Sequence, residues 1–389
     1  MSRKGRVLVA MSGGVDSSTA AVLLAEQGYE VIGITMKTWD YERSGGKSDK
    51  EVGCCTLESM NDARAVAQKY DFTHFIVDIR EEFGDWVIDK FTSEYLSGRT
   101  PNPCVLCNTH IKWRALLRRA NQLGCEHIAT GHYARVRQDE DSERYVIRRG
   151  RDRRKDQSYA LWGLPQEHLA RSIFPLGEYE KPEIREMAAD FGLDRVADKP
   201  DSYEICFIPD DDYHRFLKDR VDGLEEEVAG GDFILSDGTK VGEHDGYPFY
   251  TVGQRRGLGL ALGYRVYVTD IDAETNTITV GPREELQQQT LTARQINMVG
   301  AADLTEERPV TASIRYNDAG APGLAWQPGE DELAVAFAEP QRAITPGQAV
   351  VLYDGDDLLA GGWIETVGAD DEAREREDES FVPLPMASA

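Results

Sequence analysis

The sequence lacks the long apolar runs of a membrane protein. No stretch approaches the roughly 20 consecutive apolar residues that span a bilayer. The first residues, MSRKGRVLVAM, also lack the long apolar segment and the small-residue cleavage site of a signal peptide. We therefore expect a cytoplasmic protein that does not contact a membrane.

Cysteine is scarce, with six residues in a chain of 389. Thiols stay reduced in the cytoplasm, so these cysteines are expected to bind a metal, take part in catalysis or pack in the core rather than form structural disulfides. They are Cys54, Cys55, Cys104, Cys107, Cys125 and Cys206. The adjacent pair Cys54 and Cys55 is expected to pack at the start of a helix. Cys125 is expected to pack in the core as a small hydrophobic residue.

Positive charge is in the minority. The chain has 44 Lys and Arg against 69 Asp and Glu, and its net charge of -25 disfavours non-specific binding of polyanions. A nucleic-acid partner would therefore have to meet a local basic surface. Two segments could supply it, RYVIRRGRDRRK at residues 144–155 and HIKWRALLRR at residues 110–119.

Strand-like apolar runs alternate with helical patterns in the first half of the chain. RVLVAM and YEVIGITM predict strands, and TAAVLLAEQGY between them predicts a helix that ends near Gly28. The alternation continues with the helix MNDARAVAQKY, the strand FTHFIVDI and a buried strand in CEHIATGHYA. This order favours an α/β fold with a Rossmann-like parallel sheet and helices on both faces.

Later segments predict a hairpin, a helix and a change of architecture. ARVRQDEDSERYVIRRG is typical of a hairpin with an exposed acidic tip, and residues 181–192 predict a helix with an early proline and a following glycine. After about residue 216 the strands are short and punctuated by glycine, which predicts β-rich domains. We predict a catalytic domain at 1–215, a small central β-rich domain at 216–284, a C-terminal β-barrel domain at 285–367 and an acidic flexible tail at 368–389.

The stretch MSGGVDSS, residues 11–18, lies between the first predicted strand and the first predicted helix. Its glycines let the backbone approach an anion, and the N–H groups of a helix N-terminus with nearby Ser hydroxyls can hold phosphates. It has neither the Lys-Ser/Thr of a Walker A loop nor the G-x-G-x-x-G of a dinucleotide fingerprint. It instead resembles the PP-loop, S-G-G-x-D-S, of the ATP pyrophosphatase superfamily, whose members adenylate a carbonyl oxygen and release pyrophosphate.

That resemblance implies ATP with Mg²⁺ as cofactors and a nucleotide site at the carboxyl ends of the strands. The implied nucleotide-binding residues are Ala10, Met11, Ser12, Gly13, Gly14, Val15, Asp16, Ser17, Met36 and Gly131. In this assignment the loop holds the pyrophosphate end, the backbone of Met36 meets the adenine, and Gly131 forms the far rim of the site.

Two cysteines stand in settings that suit sulfur chemistry. A thiolate or persulfide is the nucleophile suited to replacing oxygen by sulfur. Cys107 follows the turn TPNPC at the start of a helix predicted from about Asn108, where the helix dipole and Lys112 would lower the pKa of its thiol. Cys206 lies about a hundred residues further on, in DSYEICFI.

The chain as a whole resembles the tRNA-specific 2-thiouridylases. The matching motifs, in the order of that family, are MSGGVDSS, TPNP-x-x-x-C-N, ATGHYAR, RKDQSY, FPLGEYEKPEIR, ICF and FYTVGQRRGLG. The resemblance implies that ATP adenylates the carbon-2 oxygen of the tRNA wobble uridine, and that AMP then leaves. Cys206 would carry a persulfide received from a cysteine desulfurase or a sulfur-relay protein, and Cys107 would be the partner thiol that forms a transient disulfide with Cys206.

The resemblance also implies contacts with the tRNA and its flipped base. The implied residues are Asn102, Pro103, Cys104, His132, Lys155, Asp156, Gln157, Arg315, Tyr316 and Gln348. The basic segment 144–155, which ends at Lys155, acquires a tRNA-binding role in this assignment. The protein is expected to act as a monomer.

Cys104 departs from part of the family, because many members have an aspartate there that is proposed to act as an acid or base. Cys104, Cys107 and Cys206 instead make a C-x-x-C pair plus one, which could hold a 4Fe-4S cluster with one iron open to sulfide. The same cysteines suit a persulfide route, whereas zinc would normally need a fourth ligand. The sequence favours the persulfide route and leaves the cluster open.

Two other functions are alternatives. The first is a PP-loop ligase for a small molecule, such as an amide-forming synthetase, which would not need Cys107 or Cys206. The second is a non-catalytic RNA-binding or iron–sulfur scaffold protein with a vestigial loop, which the intact SGGVDS disfavours.

Overall fold

A computed structural model describes residues 4–39, 56–199 and 205–368. The predictions for Cys54, Cys55 and residues 369–389 of the acidic tail lie outside this part of the chain. Within it, no helix is both long and apolar enough to cross a membrane.

The first domain alternates strands and helices as predicted. In chain order its elements are β1 (Arg6–Ala10), α1 (Val15–Glu26), β2 (Glu30–Lys37), α2 (Leu57–Lys69), β3 (Thr73–Asp78), α3 (Arg80–Phe83), α4 (Asp89–Leu96), α5 (Pro103–Leu106), α6 (Trp113–Leu123), β4 (His127–Ala129), β5 (Ala134–Gln138), β6 (Tyr145–Arg149), α7 (Gln166–Leu169), β7 (Ser172–Ile173), α8 (Lys181–Asp190) and α9 (Asp194–Ala197). Two π-helical turns, Gly84–Ile88 and Cys107–Lys112, join α3 to α4 and α5 to α6.

Five of these strands form one parallel sheet in the order β3-β2-β1-β4-β7. The central strand β1 has Val7, Leu8 and Val9 fully buried, since helices cover both faces of the sheet. The predicted α/β fold class is therefore confirmed. Loops that leave the carboxyl ends of β1, β2 and β4 meet at one edge, where open α/β sheets bind their ligands.

The helix predicted at residues 181–192 is present as α8, which ends at Asp190. Its start is fixed by a capping box between Glu180 and Glu183, with Pro182 in the first turn. Gly192 follows the helix with φ +61°, a conformation that glycine adopts without strain. Local signals are therefore sufficient to delimit this helix.

The central part of the chain begins with two helices rather than strands. They are α10 (Tyr213–Arg220), capped by the side chain of Asp212, and α11 (Leu224–Val228), so the predicted domain start at residue 216 falls inside α10. The strands that follow are β8 (Gly231–Ile234), β9 (Lys240–His244), β10 (Tyr267–Asp272) and β11 (Thr277–Gly281), in the order β10-β11-β8-β9.

The last domain is a closed six-stranded antiparallel barrel. Its strands are β12 (Gln287–Met298), β13 (Arg308–Ser313), β14 (Ala321–Gly329), β15 (Glu332–Arg342), β16 (Ala349–Asp354) and β17 (Asp357–Val367). They follow the order β12-β15-β14-β13-β16-β17, and pairing of β12 with β17 closes the ring. This confirms the predicted barrel.

The predicted hairpin is β5 and β6, and it joins the first domain to the barrel. Arg148 on β6 pairs with Asp357 at the start of β17. The hairpin thereby extends the barrel sheet by two strands. This junction places barrel loops beside the carboxyl edge of the parallel sheet.

The basic segment 144–155 does not form the open basic surface that the sequence suggested. Arg153 and Arg135 pair with Asp356, and Arg137 and Arg148 pair with Asp357. Three more arginines of the segment are held: Arg144 by the main-chain oxygens of Met298 and Val299, Arg149 by the ring of Tyr353, and Arg151 by the carboxylate of Glu183. Most of this positive charge is therefore used to hold the barrel against the first domain, because acidic groups of the β16–β17 turn lie within ion-pair distance.

Candidate active site

The loop between β1 and α1 has the shape of a phosphate cradle. The backbone N–H of Ser12 donates to the hydroxyl of Ser17 at 3.0 Å, and the two hydroxyls lie 3.1 Å apart. Gly14 caps α1 without a side-chain hydrogen bond, which leaves helix N–H groups available to an anion. Gly13 has φ +74°, and a Cβ there would overlap the carbonyl of Ser59 at the start of α2. The residues present therefore fit a bound phosphate group.

Two other residues assigned to the nucleotide loop have structural roles. Met11 is 2% exposed, and its N–H donates to the carbonyl of Ile34 at 2.8 Å. Its carbonyl accepts from Thr35 Oγ1 at 2.7 Å. Val15 is buried at the first position of α1, and Ala10 ends β1 in register with Ile34. These residues fix the position of the loop on the sheet.

Lys181 lies against the acidic residue of the loop. Its Nζ is 2.7 and 2.8 Å from the two carboxylate oxygens of Asp16, and the hydroxyl of Tyr133 donates to the same carboxylate at 2.7 Å. Lys181 is only 8% exposed, so this charge belongs to the interior of the site. Lys181 belongs to the motif FPLGEYEKPEIR, but it was not among the predicted site residues. A lysine at the start of a helix is unfavourable for the helix dipole, and this signal could have suggested a role elsewhere.

A second lysine also reaches the loop. Lys199 Nζ is 3.5 Å from the carbonyl of Gly13 and forms an ion pair with Asp62 of α2. Asp62 is 2% exposed and pairs with Arg195 as well, at 3.0 Å. Lys181 and Lys199 thus add positive charge beside a loop built to receive phosphates.

Gly131 follows β4 and packs directly on the phosphate loop. A Cβ at this position would lie 2.8 Å from the backbone nitrogen of Ser17 and 3.0 Å from the carbonyl carbon of Asp16. Both atoms are main chain, so they cannot rotate away. Met36, at the end of β2, is half-buried against two apolar clusters.

We expect Gly131→Ala to displace the phosphate loop. The added methyl group should cost about 1–3 kcal/mol of stability, as overpacking does, and should raise the KM for ATP about tenfold or more. Gly28→Ala is the control, because a Cβ at Gly28 meets nothing within 4 Å and only its positive φ is strained. An unchanged KM for ATP in Gly131→Ala would contradict this packing.

The helix that carries Cys104 and Cys107 begins earlier than the sequence analysis predicted. Asn102 caps it by accepting from the N–H of Val105 at 3.4 Å, and Pro103 takes the first position. Cys104 therefore lies in the first turn, whereas Cys107 lies one turn later, inside continuous helical structure. The prediction that Cys107 stands at a helix N-terminus is wrong. The Asn-Pro pair is a standard start signal that could have corrected it.

Cys107 is 7% exposed and packs in the apolar cluster that also contains Phe207 and Ile208. Each of these two neighbours of Cys206 is 1% exposed, whereas Cys206 itself is exposed. The fold thereby brings the segment bearing Cys206 to the same cluster as Cys107. Cys104, Cys107, Cys125 and Cys206 form no disulfide in the structure.

The three cysteines do not assemble a metal site. Within residues 4–39, 56–199 and 205–368, no group of three or more Cys, His, Asp or Glu side chains is placed to hold a metal ion. Cys107 is buried among apolar residues, whereas Cys104 and Cys206 are exposed. The iron–sulfur alternative is therefore not supported by the positions of Cys104, Cys107 and Cys206.

Cys104 lies in a cleft shared with residues from the barrel. It is open to solvent, but the surrounding protein raises the pKa of its thiol, against the opposing charge of Lys112. Tyr316 of the barrel is 43% exposed, and desolvation, together with the nearby Cys104, raises the pKa of Tyr316 to about 12. The hydroxyl of Tyr316 also forms a hydrogen bond with the side chain of Gln157.

Gln157 connects this cleft to the phosphate loop. Its Oε1 accepts from the N–H of Tyr133 at 3.0 Å, and Tyr133 in turn reaches Asp16. A continuous set of contacts therefore runs from Asp16 to Tyr316 and Cys104. The phosphate loop and the cleft that contains Cys104 are therefore two ends of one site.

The other residues of the RKDQ motif hold its turn. Asp156 accepts from the N–H of Gly150 and from the hydroxyl of Ser158, each at 2.8 Å, and burial raises the pKa of its carboxyl group. The backbone N–H of Lys155 donates to the carbonyl of Asp152 at 3.1 Å. Asp156 is therefore placed to orient Gln157 rather than to reach a ligand.

Two barrel residues brace the cleft. The amide of Gln348 donates to the carbonyls of Thr100 and Pro101, at 3.0 and 3.1 Å, and so holds the chain that leads into Asn102. Arg315 donates to the carbonyls of Arg342 and Ala343. Both side chains form hydrogen bonds with backbone carbonyls of the protein, and their predicted contacts with tRNA stay predictions.

His132 is held neutral at the edge of the cleft. Its Nδ1 is 2.7 Å from Thr130 Oγ1, and its ring lies 5.7 Å from that of Trp113. Desolvation, together with the charge of Lys112, lowers the pKa of His132 to about 3. A neutral imidazole adds no positive charge to a site that already holds Lys112.

We expect this histidine to make the fold less stable in acid. Its folded pKa lies below the unfolded value of 6.5, so unfolding takes up a proton between about pH 3 and pH 6.5 and the free energy of unfolding falls as the pH falls through this window. In His132→Asn, the slope of unfolding free energy against pH near pH 5 should decrease by about 1 kcal/mol per pH unit. Urea titrations at a series of pH values would measure this slope, and an identical slope in the variant would contradict a neutral His132 in the folded protein.

The loop, the two lysines and their position on the sheet together define the class of this protein. A glycine-rich loop with a nearby lysine pair, at the carboxyl edge of a parallel sheet, is the site of a PP-loop nucleotide-binding enzyme. Three family models match the chain in order: a tRNA methyl transferase HUP domain over residues 5–210, a tRNA methyl transferase PRC-barrel domain over 215–282 and an aminomethyltransferase beta-barrel domain over 288–364.

Curated relatives match over nearly the whole chain. A protein of Salinibacter ruber named tRNA-specific 2-thiouridylase MnmA is 75% identical over 98% of this chain and 100% of its own length. A protein of the same name from Amoebophilus asiaticus is 59% identical over 93% of this chain and 96% of its own. The chain belongs to the tRNA-specific 2-thiouridylase family, a family of sulfurtransferases within the ATP pyrophosphatase superfamily.

Proposed function

We propose that this protein converts the wobble uridine of tRNA to 2-thiouridine, using ATP to activate the carbon-2 oxygen and a persulfide on Cys206 to supply sulfur. The observation that carries the proposal is the set of contacts from Asp16 through Tyr133 and Gln157 to Tyr316 and Cys104. These contacts join the phosphate loop to the cleft that contains Cys104. Family membership supports thiolation of tRNA as the reaction served by this site.

The nucleotide end is suited to adenylation. The loop amides with Ser12 and Ser17 would hold the phosphates of ATP, and Lys181 and Lys199 would offset their charge. Mg²⁺ bound with ATP would be held at Asp16 and would stabilise the leaving pyrophosphate. Occupancy by ATP brings phosphates close to Lys181, so this lysine would exchange part of its pairing with Asp16 for a phosphate oxygen.

The cysteine end is suited to sulfur transfer. The terminal sulfur of a Cys206 persulfide attacks carbon 2 of the adenylated uridine, and AMP leaves with the electron pair of the broken C–O bond. The Cys107 thiolate then attacks Cys206 Sγ, which breaks the S–S bond to the base and releases 2-thiouridine. The resulting Cys107–Cys206 disulfide must be reduced by an external thiol before the next turnover.

The flipped base would lie against Asn102, Pro103 and Cys104. The raised pKa of Cys104 keeps this thiol protonated at neutral pH. A protonated thiol is a poor nucleophile, so Cys104 does not compete with the persulfide. Its position in the first turn of α5 allows it to donate a hydrogen bond where many relatives carry an aspartate.

The deciding experiment measures 2-thiouridine in unmodified tRNA after incubation with the protein, ATP, Mg²⁺ and a cysteine desulfurase as sulfur donor. The expected result is thiolation that requires each component and is accompanied by one AMP per thiouridine. AMP formation at full rate without RNA, independent of Cys107 and Cys206, would instead support a small-molecule ligase. A protein that binds tRNA but consumes no ATP would support a scaffold.

A further inference from the structure

An open loop in the central part of the chain has no assigned role. We name residues 253–266, GQRRGLGLALGYRV, the arginine-glycine loop. It lies between the 3₁₀ turn Tyr247–Phe249 and β10 and borders a surface cavity of about 530 Å³. The cavity is lined by Arg255, Gly257, Leu258, Gly259, Leu260, Tyr264, Arg265 and Val266.

The apolar residues of this loop anchor it to the protein. Leu258 and Val266 are buried in the cluster that contains Cys107, and Leu260 and Leu262 pack against that cluster. Four glycines of the loop, Gly253, Gly257, Gly259 and Gly263, have φ of +68° to +89°, which lets the chain turn repeatedly without a long helix or strand. The loop is therefore fixed along one side and presents the other side to solvent.

The exposed side carries positive charge that the protein does not neutralise. Arg255, Arg256 and Arg265 are exposed, and among the residues that the structure describes none of their guanidinium groups forms an ion pair. The arginines of the β5–β6 hairpin, in contrast, are paired with Asp356 and Asp357. In a chain of net charge -25, three unpaired arginines on one loop suggest that an anionic partner supplies the missing charge.

The loop also lies close to the rim of the candidate active site. A Cβ on Gly253 would be 3.0 Å from the Cβ of Ala343, and Val252 packs against the small apolar cluster that contains Ala343. The carbonyl of Ala343 accepts from Arg315, the residue that precedes Tyr316 of the cleft. An RNA whose base enters the cleft beside Tyr316 would therefore have its backbone within reach of the loop.

We propose that the arginine-glycine loop binds the phosphodiester backbone of the tRNA, outside the nucleotides that enter the cleft. Arginine forks recognise phosphate oxygens bidentately, and the half-exposed ring of Tyr264 can stack on a sugar or base next to those phosphates. This assignment rests on the proposed tRNA function and adds a second contact region to it. The loop sets affinity and orientation and takes no part in the chemical steps.

The test compares two variants that each lose three positive charges. The first is Arg255→Gln, Arg256→Gln and Arg265→Gln combined. The control is Arg220→Gln, Arg294→Gln and Arg308→Gln combined, three arginines whose side chains are 43–61% exposed and whose ion pairs lie elsewhere. The Kd for unmodified tRNA is measured at several salt concentrations. Thiolation is followed in single turnover with enzyme in saturating excess, with a cysteine desulfurase and separately with inorganic polysulfide, whose zero-valent sulfur can load Cys206 as a persulfide by thiol exchange.

For the loop variant we expect the slope of log Kd against log salt to fall by about two to three, since each phosphate contact contributes about 0.7–0.9. The Kd near 0.15 M salt should rise roughly 10- to 100-fold. The single-turnover rate at saturation should stay within about twofold of the parent for both sulfur sources, because the loop does not touch the reacting atoms.

Three results would overturn the assignment. One is a salt slope and Kd equal to those of the parent, and another is a loss equal to that of the control variant, which would indicate an effect of net charge alone. The third is a loss of thiolation confined to the cysteine desulfurase, with polysulfide-driven thiolation and tRNA binding unaffected, which would assign the loop to an acidic protein donor. If the parent protein itself neither bound nor thiolated tRNA, the proposed function would fail first, so the two failures are distinguishable.

Discussion

Replacing Cys206 by serine is expected to abolish 2-thiouridine formation, with a loss of roughly 1,000-fold or more, because serine cannot carry a persulfide sulfur. ATP-dependent adenylation should persist, since the phosphate loop and its lysines lie at the other end of the site. Thiouridine is measured by chromatography of digested tRNA, and release of pyrophosphate, the product of the adenylation step, is measured in the same samples. The control is Cys125→Ala, a buried cysteine outside the site.

Cys107→Ser is expected to fail at a different step. The persulfide can still attack the activated base, but no thiol then breaks the S–S bond to the base. A covalent adduct between tRNA and Cys206 should accumulate, visible as a slow band on a denaturing gel that disappears on reduction. Normal multiple turnover by Cys107→Ser, or thiolation by Cys206→Ser, would show that the assignment of these cysteines is wrong.

The second large effect is expected from Lys181→Met, which removes the cation next to the phosphate loop. AMP formation should fall roughly 100- to 1,000-fold, as it does when a charged group that stabilises a transferring phosphate is lost. Asp16 would also lose its partner, so some loss of stability is expected and melting temperatures must be measured alongside the rate. Asp16→Asn should impair AMP formation as well, because it removes the carboxylate proposed to hold Mg²⁺.

The control for Lys181→Met is Lys69→Met. Lys69 donates to the carbonyls of Phe191 and Gly192 after α8, so it stabilises the far end of the same helix. If both lysines only supported folding, the two variants would lose stability and activity in proportion. We expect instead that Lys181→Met, but not Lys69→Met, loses AMP formation while still accepting sulfur on Cys206 from the desulfurase. Equal adenylation rates in the two variants would remove Lys181 from the proposed mechanism.

The elements that could be predicted from the sequence are those whose signals lie within a few neighbouring residues. Hydrophobic periodicity predicted the strands of the parallel sheet, and the capping signals of residues 180–192 predicted α8 closely, because both depend on neighbours within a few positions. The predicted helix start near Asn108 is wrong, although the true start signal, Asn102 followed by Pro103, is also local. Because the helix begins at Pro103, Cys104 rather than Cys107 lies in its first turn.

By itself the sequence determined the α/β fold class, the phosphate loop and the cysteines available for sulfur chemistry, because strand and helix patterns and motif spacing are written along the chain. Only the tertiary structure decided which charges meet. Lys181 approaches Asp16 across 165 positions of sequence, and Arg153 approaches Asp356 across 203. Local periodicity does not encode such pairs, because they depend on how distant elements pack. That packing places the basic segment 144–155 at a contact between domains, and it leaves the arginines of the arginine-glycine loop exposed.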